Sequence, residues 1–235
     1  MNSYQIYYGL IKLGTQTFRV LFDTGSCDFW VVSSSCTSES CSFKEKYKRT
    51  NLNNFAEFSL QYRNGSVDGN LIHETLFLTN NLIIDQQTVG IANDVKLPYF
   101  HTMEIDGVLG LSYPNKINTD KGIIPVFETI AGKNLLKNQN FKNIFSIHAN
   151  ENGGTITFGY TDRKFQAKVT DPIVWVPLAE YNYWTFFIVD MLTVARNGLV
   201  GGLRKVKPCQ KGCKGVIDTG SYFIYGPKFA LEVIL

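Results

Sequence analysis

Apolar and polar positions alternate from the start of the chain, with Tyr4, Ile6, Tyr8 and Leu10 on one side of the pattern. A period of two is that of a strand with one face on a core. The run Thr17-Phe18-Arg19-Val20-Leu21-Phe22 and the run Phe29-Trp30-Val31-Val32 follow, so β-structure is predicted over 4–35. A polar loop is predicted over 33–50. Over 55–62, Phe55, Glu57, Ser59 and Gln61 oppose Ala56, Phe58, Leu60 and Tyr62, which predicts another strand. The turn Arg63-Asn64-Gly65-Ser66 closes it, with Asn-Gly as the hairpin signal, and 71–78 is the next predicted strand.

Further along, Asp106-Gly107-Val108-Leu109-Gly110-Leu111 is apolar and punctuated by glycine, so its backbone is expected to pack closely against a neighbour. Helical spacing is best at 125–130 and 134–136. Phe145-Ser146-Ile147-His148 and Thr155-Ile156-Thr157-Phe158-Gly159 predict a hairpin around Asn152-Gly153-Gly154. Strands are predicted at 175–178 and 184–194, and a helix is predicted to begin at Pro227. With few helices, the fold class is mainly β. No low-complexity tract interrupts the chain.

Two of these strands end in the same way. Val20-Leu21-Phe22 runs into Asp23-Thr24-Gly25-Ser26, and Gly215-Val216-Ile217 runs into Asp218-Thr219-Gly220-Ser221. An acid directly after a buried strand is costly unless its surroundings satisfy it. Incurring that cost twice with the same four letters suggests two carboxylates brought together. At that range both cannot ionise, so they share a proton and their pKa values separate. The ionised member can take a proton from a water, and the protonated member can donate to a substrate carbonyl. That is general acid-base hydrolysis of an amide with no metal or covalent intermediate. Thr24 and Thr219 can hydrogen-bond across the pair, Gly25 and Gly220 admit close backbone approach, and Ser26 and Ser221 can orient the carboxylates. One Asp-Thr-Gly alone would be read as an Asx-turn; two in matching contexts favour a site.

The chain has 235 residues, 44% hydrophobic and 18% charged, with a net charge of +3. The basic cluster at 44–49 is expected to be a solvated loop, since no stacking motif accompanies it to suggest nucleic-acid binding. No apolar run is long enough to span a membrane, and no signal-peptide pattern precedes the first strand. Cys36/Cys41 and Cys209/Cys213 are close pairs. They suit small disulfide loops, and hence an oxidising compartment, better than a four-thiolate zinc site, whose knuckles are tighter. Cys27 is expected to be a buried small apolar side chain.

These residues resemble the pepsin-like aspartic proteases along essentially the whole chain. Phe22-Asp23-Thr24-Gly25-Ser26 with Trp30 looks like that family's first motif. Cys36/Cys41 falls at its first disulfide, and Tyr62 falls at the tyrosine of its mobile hairpin flap. The segment from Ile105 to Pro114 looks like the support of the first active-site loop. Tyr183-Trp184, Cys209/Cys213 and Ile217-Asp218-Thr219-Gly220-Ser221 continue the match in order. The resemblance implies a two-lobed β fold with a cleft between lobes, here residues 1–173 and a partial second lobe over 174–235. It implies Asp23 and Asp218 as the catalytic pair, and Trp30 as the buttress of Tyr62. Asn64 and Ser66 would lie in the flap, with Tyr99, Ile105 and Val108 lining an apolar pocket and Tyr222 beside a subsite. It implies disulfides Cys36–Cys41 and Cys209–Cys213, and a monomeric endopeptidase of the secretory pathway, secreted or lysosomal/vacuolar. That enzyme would act on peptides or proteins, bind pepstatin-type inhibitors, and use no metal or cofactor, nucleic acid or membrane.

Several positions depart from the family's pattern. Arg63 stands at a usual glycine and Asn64 at a common threonine, and Asn64-Gly65-Ser66 is an N-glycosylation sequon that is expected to remain unmodified. Cys27 and Tyr222 replace small residues, and the turn at Gly14-Thr15-Gln16 is two residues short. In the family the second lobe continues well beyond the second motif. A molecule ending at Leu235 is therefore expected to leave that lobe incomplete and to show little or no proteolysis. The alternative function is an inactive relative that binds peptide or protein. A self-dimerising protease is disfavoured because one chain carries both acids, and the shared Asp-Thr-Gly-Ser context does not suggest glycoside hydrolysis. The net basic balance points away from strongly acidic working conditions.

Overall fold

A computed structural model describes residues 7–48, 56–114, 122–166, 172–188, 193–196, 203–206, 209, 212–228 and 231. The alternating first segment becomes β1 (Tyr8–Leu13), which pairs antiparallel with β2 (Gln16–Asp23) across the short turn at Gly14. Positions 4 and 6 of that pattern lie outside the described residues. The third apolar run forms β3 (Phe29–Val32), with all four residues buried. The next strands are β4 (Glu57–Tyr62), β5 (Gly65–Thr79) and β6 (Leu82–Lys96). The glycine-punctuated segment is β7 (Gly107–Gly110), also wholly buried.

These seven strands make one sheet in the order β1-β2-β7-β3-β6-β5-β4, and β1 also pairs with β5. β7 runs parallel to β2 and antiparallel to β3, so both of its edges are occupied. Such a strand has little room for side chains, and a Cβ on Gly107 would collide with the Trp30 carbonyl. One core cluster gathers Phe18, Val20, Phe29, Leu76, Ile84 and Leu109. A second surrounds Trp30 with Phe58, Leu60, Phe100, Ile105 and Val108. Arg19 bridges Asp106, donating from Nε at 3.0 Å, from NH2 at 2.8 Å and from its backbone N–H at 2.9 Å. Asp106 is fully buried, so this fork and the Glu45 N–H at 2.9 Å replace its water.

Beyond the sheet, helix α1 (Val126–Gly132) buries Val126 and Ile130, an i, i+4 pair on one face. β8 (Phe145–Asn150) and β9 (Gly153–Phe158) form the hairpin that the sequence predicted, closing at Glu151-Asn152. Among the described residues β10 (Thr185–Ile188) pairs with β13 (Cys213–Val216), with one further bridge from Thr185 to Glu180, and β11 (Thr193–Arg196) pairs with β12 (Leu203–Val206). Both disulfides, Cys36–Cys41 and Cys209–Cys213, are formed, and Cys27 is buried.

Four elements differ from the sequence expectation. The strand begun at 71 starts at Gly65, and Tyr62 faces Gly65, so Arg63 and Asn64 are the two loop residues. β6 was not predicted at all: Asp85, Gln86 and Gln87 break its pattern, and Gln86 sits at φ 56° in a register shift. The buried Gln87 side chain bonds off the ladder, Nε2 donating to Ile124 O at 2.8 Å and to Thr88 O at 3.0 Å, while its Oε1 finds no partner among the described residues. Positions 134–136 are a turn, because Asn134 takes φ 53° and stops the helix. Positions 175–178 form no strand; with no ladder partner among the described residues, Trp175 is 70% exposed. The predicted strand at 184–194 is β10 and the start of β11, with 189–192 outside the described residues. Of the helix expected from Pro227, one turn is described, with Leu231 N–H donating to Pro227 O at 3.1 Å.

Candidate active site

β2 delivers Asp23 and β13 leads into Asp218, and the two turns that follow face each other. Within each motif the same two bonds form. Gly25 N–H donates to Asp23 Oδ1 at 2.7 Å and Ser26 Oγ to Asp23 Oδ2 at 2.6 Å. Gly220 N–H donates to Asp218 Oδ1 at 2.9 Å and Ser221 Oγ to Asp218 Oδ2 at 2.8 Å. A short polar loop after a strand end can form this Asx-type arrangement by itself.

Between motifs the bonds are reciprocal. Thr24 N–H donates to Thr219 Oγ1 at 3.1 Å, and Thr219 N–H to Thr24 Oγ1 at 3.0 Å. Each hydroxyl then donates to the carbonyl just before the opposite aspartate: Thr24 Oγ1 to Ile217 O at 2.8 Å, and Thr219 Oγ1 to Phe22 O at 2.6 Å. Each threonine oxygen therefore accepts one bond and donates one, which fixes its rotamer and both loops. The glycines permit the approach: a Cβ on Gly25 would lie 2.5 Å from the Asp218 carboxyl carbon, and one on Gly220 would collide with the Asp23 carboxylate.

The two carboxyls differ in their surroundings. Asp23 is 8% exposed and Asp218 is exposed. Burial pushes the Asp23 carboxyl up to about 6, against the lowering effect of Ser26 and the Gly25 N–H. The neighbouring charge of Asp218, within hydrogen-bond reach, raises it further. The Asp23 carboxyl therefore keeps its proton to higher pH than an ordinary carboxyl does. Among the described residues, no group of three or more His, Cys, Asp or Glu side chains is gathered to hold a metal.

The β4–β5 hairpin lies against the first acid's surroundings. Tyr62 OH accepts from Trp30 Nε1 at 2.8 Å, and burial raises the Tyr62 phenol far above its usual range. Asn64 is exposed at the hairpin tip, and Ser66 follows it in β5. Ile105 and Val108 are packed into the Trp30 cluster. Tyr99 is not: it is 60% exposed with φ 62°. Tyr222 packs on Phe223, ring centroids 4.5 Å apart, beyond Ser221.

Three contacts at the site were not assigned from sequence. Arg19–Asp106 anchors the start of the β7 segment that flanks β2. Trp184 Nε1 donates to Leu111 O at 2.9 Å, with its ring 4.6 Å from Tyr113, so it ties the β10 segment to the first motif's support. Arg63 stacks its guanidinium over Tyr225, 4.6 Å from the ring centroid. Tyr183-Trp184 carried an advance signal as part of the family match, and Arg63 as a departure from the flap's usual glycine, but neither partner, Leu111 nor Tyr225, was indicated.

Comparison with known proteins gives the following. The family model described as eukaryotic aspartyl protease matches residues 6–235. Bovine (Bos taurus) chymosin is 35% identical over 230 residues, covering 94% of this chain and 55% of that protein. Plasmepsin VII of Plasmodium berghei is 28% identical over 246 residues, covering 96% of this chain and 52% of its own length. Embryonic pepsinogen of Gallus gallus is 32% identical over 233 residues, covering 94% and 55%. The chain thus spans about half the length of the curated relatives it matches.

Proposed function

The chain belongs to the eukaryotic aspartyl protease family, and from that membership we propose that it cleaves internal peptide bonds with Asp23 and Asp218 as a proton-sharing pair. The observation that carries the reading is the reciprocal threonine bonding that sets the two carboxyls side by side. Burial favours the proton on Asp23, which donates it to the scissile carbonyl oxygen. Asp218, more exposed to water, takes a proton from the attacking water. Nucleophile and acid thus act in one step across a single peptide bond. Gly25 N–H, Ser26, Gly220 N–H and Ser221 keep the four carboxylate oxygens pointed into the shared space.

The hairpin carrying Tyr62, Asn64 and Ser66 covers an extended peptide, and Trp30 holds Tyr62 in place. Tyr222, 40% exposed, contributes apolar surface beside the scissile bond and favours bulky apolar residues there, while Ile105 and Val108, 2% and 5% exposed in the Trp30 cluster, support the region from within rather than lining a pocket. Because one chain supplies both acids, the site works as a monomer and is open to pepstatin-type inhibitors. The two disulfides suit an oxidising compartment, consistent with a secreted or lysosomal/vacuolar protein.

The test is hydrolysis of an apolar-rich peptide between pH 4 and 7 by the wild-type chain, Asp23→Asn and Asp218→Asn. Pepstatin-sensitive turnover abolished by either substitution supports the reading; turnover indifferent to both overturns it. A second reading, peptide binding without cleavage, is favoured by the exposure of Asp218 and of Ile217 before it, 57% exposed. Pepstatin binding by calorimetry that depends on Asp218, without turnover, would select it.

A further inference from the structure

The Arg63–Tyr225 stack belongs to neither motif, yet it spans them. Arg63 is one of the two loop residues of the β4–β5 hairpin. The residue before it, Tyr62, is bonded to Trp30 on the side of Asp23. Tyr225 lies four residues beyond Ser221, which holds Asp218. The hairpin tip therefore reaches from the neighbours of one acid to the neighbours of the other, and in the cleft reading a peptide lying across both carboxyls runs where these two side chains meet. Among the described residues no carboxylate forms an ion pair with Arg63, and Tyr225 remains 51% exposed. The guanidinium is thus a full charge held at the roof of the site by one aromatic face.

We infer that Arg63 is a specificity-determining residue that selects peptides carrying a carboxylate side chain beneath the hairpin tip. The inference rests on the cleft reading given above. A neutral peptide must displace the cation–π contact and leaves the guanidinium to water. A glutamate or aspartate at the facing position replaces that contact with a charge-assisted, bidentate hydrogen bond, which is the stronger interaction.

The experiment uses uncleavable apolar peptides with a reduced central bond, differing only by Glu, Gln or Lys at one position scanned along the peptide. Binding is measured by calorimetry and by displacement of pepstatin. At the position under the tip, Glu is expected to bind about tenfold tighter than Gln. Arg63→Gln should erase that ratio, and Arg63→Glu should transfer the preference to Lys. Tyr225→Leu, which removes the face that must be vacated, should tighten the Gln peptide by about threefold. Equal Glu and Gln binding at every position, or a ratio unchanged in Arg63→Gln, overturns the inference. The Gln peptide separates the two failures. If it displaces pepstatin and Glu gives no gain, only the role of Arg63 falls; if it fails to bind at all, the cleft reading falls with it.

Discussion

Asp23 and Asp218 share their motif, their two local hydrogen bonds and their cross-bonded threonines, but not their setting. Asp23 ends a strand with partners on both edges, β1 and β7, inside a seven-stranded sheet. Asp218 follows a strand with one partner, β10, among the described residues, and the residues around it, 216–217 and 222–225, are exposed and apolar. At about 2 kcal/mol for each large apolar side chain buried, the stabilising energy of the described molecule is concentrated around the first motif. Four residues suffice to fold the turn and orient the carboxylate, whereas burial, and with it the proton affinity, is set by the sheet behind the turn.

The ion pairs of the two regions make the sharpest contrast. Arg19→Met strands the buried Asp106 charge and is expected to lower stability by about 3 kcal/mol in chemical denaturation. Lys214, paired with Glu180 on the surface of the second region, should be replaceable by Met with no shift of the denaturation midpoint beyond error. Equal effects would dissolve the distinction between the regions.

Next in size is a pH effect at the first acid. Folding raises the Asp23 carboxyl from 3.8 to about 6, so the folded state binds that proton more tightly than the unfolded chain. The stability this contributes is fully present below about pH 4 and is lost as pH rises through about 6. Asp23→Asn should therefore melt higher than wild type at pH 7, by about 2 kcal/mol, and the gain should shrink toward pH 4. A gain independent of pH would mean that burial does not govern Asp23.

The threonine bridge should respond as a unit. Thr24→Val and Thr219→Val each leave a backbone N–H and a carbonyl without their partner, at a cost of about 1–2 kcal/mol. The double variant should cost clearly less than the sum, with a coupling of about 1 kcal/mol in a double-mutant cycle. Strict additivity would indicate that the two turns are held independently. Smallest is Trp30→Phe, which keeps most of the packing and removes the donor to Tyr62. Hydrogen exchange in β4 and the tip of β5 should quicken, with global stability down by about 1 kcal/mol; unchanged exchange would show that the hairpin is held by other contacts.

Much of the fold was legible because it is periodic or locally coded. The alternation over 57–62 and the runs 17–22 and 29–32 became β4, β2 and β3. The glycines at 107 and 110 announced a strand with no space beside it. What the pattern missed has tertiary causes. The polar stretch in β6 is tolerated because Gln87 finds a carbonyl on another segment. Residues 175–178 have strand composition but no partner edge among the described residues. Arg63 and Tyr225 lie far apart along the chain, and nothing near either one marks the other.

The sequence by itself determined the two acid turns, their internal hydrogen bonds and the family to which the chain belongs, because an Asp, a glycine and two hydroxyls at fixed spacing dictate their own local geometry. The threonine cross-bonds are expected from the paired motifs; only the tertiary structure decided that Asp23 is buried while Asp218 is exposed, and that Arg63 reaches across to Tyr225. Those properties depend on which strands flank each turn and on what water is excluded, and neither quantity is carried by a residue's immediate neighbours in the chain.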